Sequence, residues 1–227
     1  MPIVNFILLI FALFSSIFSA VNPPKFKKTI LTSRFVSEGV CIGDVNRDGK
    51  KDIIAGAFWF EAPRWTQHQF TTEIRYNKSL KAFPEGYAFQ VDEGYSDSFA
   101  NFSADINHDG WIDVIKIGLP GEAIYWLENN HNKAGLWKRH DLYSSLGNES
   151  PLFEDVNGDG RPDIVALFAQ GDERIMLYTN QGGLNFEESR LLRFPSIYGT
   201  SSFDMGDVDG DGDVDIVCTA GDNADFS

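Results

Sequence analysis

The sequence predicts an all-β fold assembled from repeated four-stranded units. Three observations carry that prediction: one nine-residue acidic pattern occurs four times, a short β-branched run follows each copy, and the composition is rich in glycine and phenylalanine. The 227 residues include 21 glycines and 19 phenylalanines and are 43% hydrophobic, which is ample for a packed core and excludes disorder as the dominant state. Lys plus Arg number 19 against 33 Asp plus Glu, a formal charge of −14. That balance excludes the electrostatic footprint of a nucleic-acid binder and makes cations the favoured partners. Two cysteines are too few for a disulfide framework.

The N-terminal stretch stands apart from the fold. Ile3 to Phe18 is almost unbroken apolar sequence followed by the small residues Ser19 and Ala20, which reads as a secretory signal over residues 1–20. The alternative is an uncleaved membrane anchor, the one route by which this chain would meet a membrane. Either way the remainder, residues 21–227, is expected to be secreted or otherwise extracytoplasmic, at a cell surface or in a periplasm, where calcium is plentiful.

The repeated pattern is Asp-x-(Asn/Asp)-x-Asp-Gly-x-x-Asp. It occurs as Asp44, Asn46, Asp48, Gly49, Lys50, Asp52; Asp105, Asn107, Asp109, Gly110, Trp111, Asp113; Asp155, Asn157, Asp159, Gly160, Arg161, Asp163; and Asp207, Asp209, Asp211, Gly212, Asp213, Asp215. The first positions lie 61, 50 and 52 residues apart. Positions one, three, five and nine supply side-chain oxygens, Gly at six permits a sharp turn, and position seven (Lys50, Trp111, Arg161, Asp213) offers a backbone carbonyl. That is the oxygen-rich set a hard cation such as Ca²⁺ needs. The twelfth positions, Ala55, Lys116, Ala166 and Cys218, lack the bidentate Glu of an EF-hand. The alternative for each loop is an acidic turn whose Asp and Asn cap backbone amides. About four Ca²⁺, one per loop, would bring the chain from −14 to −6.

The flanks read as strands. Val40–Gly43 and Ser201–Gly206 precede loops; Ile53–Phe58, Val114–Gly118, Ile164–Phe168 and Ile216–Cys218 follow them, each too short for a helix. A third strand is legible in the middle units at Ala123–Leu127 and Arg174–Tyr178. A closing strand is legible at Trp65–Phe70, Leu136–His140 and Phe186–Arg190. Four short strands per roughly 50 residues is the signature of a β-propeller blade.

These loops followed by Ile or Val resemble the FG-GAP and VCBS repeats of integrin-type β-propellers, over roughly Lys25 to Cys218. The resemblance implies a calcium-loaded loop between the first two strands of each blade. No unit carries the Phe-Gly…Gly-Ala-Pro sequence of the integrin version, so the chain is closer to the VCBS-like branch and integrin-like ligand binding is not inherited. Such propellers commonly have about seven blades, and four loop-bearing units are present here. Phe26–Leu31 resembles the closing strand Trp137–Leu142, and the fourth unit stops after two strands, so the chain reads as an incomplete ring truncated at its C-terminus.

Other candidates are sparser. His68 and His140 occupy equivalent closing-strand positions beside Trp65 and Trp137, and His108 falls at a variable loop position. Cys41 and Cys218 lie on apolar strands and read as buried thiols. The ten-residue excess in the first spacing falls in Thr72–Ser98, where Tyr76, Lys78, Lys81, Phe83, Tyr87, Phe89, Asp92, Glu93 and Tyr95 form a mix suited to stacking on sugars and bonding their hydroxyls. Residues just before each innermost strand, Glu38, Asp97, Glu149 and Tyr198, are expected at the end opposite the loops, near the channel mouth. The expected function is a calcium-stabilised binding or adhesion module for an extracellular glycan or protein. Two alternatives stand beside it: a sugar-acting propeller enzyme of lyase or dehydratase type, with Glu38, Tyr95, His140 and Glu149 as its catalytic candidates, and an inactive fragment of a larger propeller. No nucleophile elbow or phosphate loop is present.

Overall fold

A computed structural model describes residues 25–77, 79–82, 88–119, 122–146, 151–168, 174–182, 185–193, 203–212 and 214–218. The chain divides into two compact units, Met1–Leu31 and Thr32–Ser227, and every described strand lies in the second. The signal or anchor segment, residues 1–20, lies outside the described residues.

Thr32–Ser227 is built from antiparallel meanders. The first sheet runs β1 (Cys41–Gly43), β2 (Asp52–Ala55), β3 (Phe58–Glu61) and β4 (Thr66–Gln69) in that order. After an inserted arm, the second sheet comprises β9 (Ala100–Ala104), β10 (Asp113–Ile117), β11 (Glu122–Glu128) and β12 (Lys138–Leu146), and the third β13 (Leu152–Glu154), β14 (Asp163–Phe168), β15 (Arg174–Asn180) and β16 (Phe186–Arg193). β17 (Phe203–Gly206) and β18 (Asp215–Cys218) pair as the start of a fourth. In each sheet the acidic loop joins the first strand to the second.

Two expectations need correction. The run Ile53–Phe58 is not one strand: β2 ends at Ala55, Gly56 and Ala57 turn, and Phe58 begins β3, with Ala55 opposite Phe58. The sequence gives no polar turn signal there, but Gly56 takes φ +65°, the first position of a type II′ hairpin. Phe26–Leu31 forms no strand; Phe26 and Ile30 are exposed, and within its own unit no described strand pairs with it.

The core lies between consecutive sheets. Alternation along β10 sends Val114 toward the first sheet, where it joins Tyr125, Leu127 and Trp137 against Val45, Ile54, Trp59 and Phe70. Ile115 and Ile117 point the other way and, with Ile124 and Trp126, meet Ile164, Ala166, Met176 and Tyr178 of the third sheet. Val165 and Ile175 repeat the arrangement toward Met205 and Ile216. All five residues of β10 are buried because both its faces are covered, each large apolar side chain contributing about 1.5–3 kcal/mol.

The excess residues of the first spacing form the arm. β5 (Arg75–Tyr76) pairs with β8 (Tyr95–Ser96), and nested within them β6 (Ser79–Ala82) pairs with β7 (Ala88–Val91). Its base is tied to the chain preceding β1: Arg75 donates to the carbonyls of Gly94 (2.8 Å) and Phe35 (3.0 Å), and the Ser96 hydroxyl to that of Val36 (2.7 Å).

Candidate functional site

The first three acidic loops share one hydrogen-bond pattern. In the first, Asp44 accepts from the amides of Asp48 and Gly49 (both 2.9 Å), Asn46 from that of Asp48 (3.1 Å), and Asp48 from that of Lys50 (2.9 Å). Asp105, Asn107 and Asp109 repeat these contacts at 2.9–3.0 Å, and Asp155, Asn157 and Asp159 at 2.7–3.1 Å. Position six is left-handed in all four loops, at φ +84° for Gly49, +85° for Gly110, +83° for Gly160 and +95° for Gly212. That requirement explains its glycine. Position four is left-handed too, with Arg47 and His108 in that role where the later loops use Gly158 and Gly210.

Position nine has a second task. Asp52, Asp113 and Asp163 are buried, and each accepts the amide of position two through one oxygen and, through the other, the amide just beyond β3 or β11 or at the last residue of β15. The partners are Val45 and Ala62 (3.0 and 2.9 Å), Ile106 and Asn129 (3.1 and 2.8 Å), and Val156 and Asn180 (3.2 and 2.7 Å). Burial pushes the carboxyl of Asp113 up to about 6 against the opposing pull of these amides, and shifts Asp52 and Asp163 in the same direction.

Position five meets positive or polar groups. The Lys50 ammonium reaches Asp48 at 2.7 Å and, with the Lys50 amide, holds that carboxyl below its usual range. Arg161 reaches Asp159 at 2.5 Å. In the second loop His131 Nε2 takes this place on Asp109 at 2.7 Å while its ring stacks on Trp111. Burial pushes Asp109 up, and bonds from the Trp111 amide and His131 outweigh it.

In the fourth loop, oxygens of Asp207, Asp209 and Asp215 lie within 4.8 Å of one another, so this triad could hold a metal ion. Asp213 lies outside the described residues. The donor set of all four loops is carboxylate and amide oxygen, which fits a hard cation; the bonds to backbone amides preset each loop without exhausting the lone pairs.

The remaining candidates separate. The Tyr95 hydroxyl donates to Glu38, so these two meet ahead of β1 and β9. His140 lies at the loop end of β12, with Nε2 2.7 Å from Glu128 and its ring stacked on Trp126 (centroids 4.1 Å apart). His68 repeats this with Glu61 and Trp59 (2.7 and 4.2 Å). The signal for both was present as Trp-x-Glu one hairpin earlier. Glu149 and Tyr198 lie outside the described residues. Asp97 is buried, with both oxygens accepting from Lys116 Nζ (2.9 and 2.8 Å); burial raises its carboxyl although Lys116 pulls it down. Cys41 is a free, half-buried thiol. Asn129 was not anticipated: its side-chain amide donates to the carbonyls of Val45 (3.0 Å) and Ile112 (2.9 Å) and its oxygen accepts from the His131 amide (2.9 Å), joining the first loop to the second sheet.

The FG-GAP-like repeat model matches residues 105–166 and 155–218, two overlapping stretches that together contain the second, third and fourth loops and the strands from β10 to β18. The first loop, outside that match, has the hydrogen bonds of the second and third. The chain belongs to the FG-GAP-like repeat family.

Proposed function

We propose that this chain is an extracytoplasmic, calcium-loaded repeat domain of β-propeller type that acts as a binding or adhesion module for an extracellular glycan or protein. The observation that supports it best is the recurrence of one oxygen-lined loop geometry at the same position of consecutive sheets. The ions, about four, would be held by Asp44, Asn46, Asp48 and Asp52 and by their counterparts, with the fourth loop contributing Asp207, Asp209, Asp211 and Asp215. Calcium there supplies charge neutralisation between strands and no bond-breaking chemistry. It leaves the ligand-facing work to the arm and the sheet ends away from the loops, where loops on a rigid scaffold concentrate recognition.

The test is saturable binding of the calcium-loaded chain to arrays of glycans and extracellular proteins, repeated in EGTA. The expected result is binding in calcium that is lost in chelator. A calcium-loaded, cooperatively folded chain that binds neither array would contradict the module reading.

A further inference from the structure

The arm and the second sheet line an open cavity of about 400 Å³ at the end away from the acidic loops. Ile74 and Tyr76 of the arm, together with Asp97, form one wall; Glu122, Tyr125 and Arg139 of the second sheet form the other. The Tyr76 hydroxyl donates to both oxygens of Glu122 across the gap. Gly118 makes room for that carboxylate: a Cβ there would meet Glu122 Oε2 at 2.9 Å. Asp97 is backed by the fully buried Lys116, and the Arg139 guanidinium covers the Tyr125 ring at 3.7 Å from its centroid while its Nε donates to Asp141 (2.6 Å). Its two terminal amino groups make no hydrogen bond among the described residues.

Asp97 pairs with Lys116 and Asp141 with Arg139, which leaves Glu122 held by the neutral Tyr76 hydroxyl, so the site carries net negative charge and an anionic ligand would be repelled there. Hydroxyl groups face no such penalty, since each can donate to a carboxylate and accept from a guanidinium at once. Ile74, 43% exposed, adds an apolar patch at the rim. A wall of alternating acceptors and donors beside an apolar patch matches a pyranose ring, with its hydroxyl edge and C–H face, and the volume falls in the ordinary small-ligand range. The geometry points to this cavity as a binding site for a neutral sugar, held by hydroxyl contacts to Glu122 and Arg139, with Tyr76 fixing the Glu122 carboxylate and Lys116 that of Asp97. The inference rests on the binding-module reading and narrows it to one ligand class and one place.

The test uses the full chain loaded with calcium and the methyl glycosides of glucose, galactose and mannose, with galacturonate as the charged comparison, read by saturation-transfer NMR and titration calorimetry. At least one neutral glycoside is expected to bind, and Glu122→Gln and Arg139→Gln are each expected to weaken it about tenfold or more. His68→Asn, in the first sheet at the loop end and outside this cavity, should leave the affinity unchanged. Arg139 is exposed, so its variant tests the site even where Glu122→Gln fails to fold. Binding indifferent to both variants overturns the site, and binding of galacturonate alone, or of none of these sugars, overturns the ligand class. A chain that binds no sugar here yet captures a protein on the arrays keeps the module reading while this inference falls, so the two fail separately.

Discussion

Gly56 shows how much one residue decides. It turns β2 into β3 at φ +65°, and a Cβ on it would stand 2.1 Å from the carbonyl oxygen of Val36. Backbone cannot yield as a flexible side chain does, so Gly56→Ala is expected to cost about 2 kcal/mol or more, measured by urea unfolding. Cys41 offers a chemical prediction. Burial pushes its thiol up to about 12, against a hydrogen bond with Ser103 that pulls the other way. Raising a thiol's pKa keeps it protonated, so at pH 8 Cys41 in the native chain, followed by mass spectrometry of its own peptide, should react with iodoacetamide on the order of a thousandfold more slowly than in the unfolded chain, and its rate should keep climbing as the pH passes 9. A native rate equal to the unfolded one, levelling near pH 9, would show an ordinary exposed thiol.

At the scale of elements, the loop after β11 locks the second sheet to the first. Asn129 makes three side-chain hydrogen bonds, one to Val45 in the neighbouring sheet's loop, and Asn132 donates to the Asn46 carbonyl at 3.1 Å. Asn129→Ala leaves the buried Val45 carbonyl unpaired and is expected to cost about 2–3 kcal/mol, whereas Asn132→Gly, at an exposed position whose φ of +60° glycine accepts, should cost less than about 1 kcal/mol; thermal unfolding of both separates them. The loops and most strands were legible because their information is local: an acidic loop is specified by nine consecutive residues, and a strand by a run of four to seven. The arm's pairing and the cavity were not, because Tyr76 meets Glu122 across 46 residues and Asp97 meets Lys116 across 19. No local pattern records such distances. In the Thr72–Ser98 segment Tyr76 was named from its chemistry and Asp97 from its place before an innermost strand, Ile74 was not named, and their partners on β10, β11 and β12 emerged only from the fold.

For the molecule as a whole, the sheets stack through apolar faces, and the acidic loops add charge that opposes folding. At −14, with carboxylates clustered within each loop, the metal-free chain carries a repulsion that bound cations would relieve. Because the loops exist only in the folded chain, cation binding would be linked to stability, each occupied site contributing about 2.7 kcal/mol at a hundredfold excess over its dissociation constant. The most direct test of calcium loading is therefore thermal unfolding in EGTA and in rising Ca²⁺, with bound ions counted by native mass spectrometry. The account predicts a cooperative transition that climbs with calcium as about four ions bind, one of them lost in Asp207→Asn/Asp209→Asn. A transition that ignores calcium, with no ions retained, would contradict it and leave the loops as turns whose aspartates serve only their own backbone.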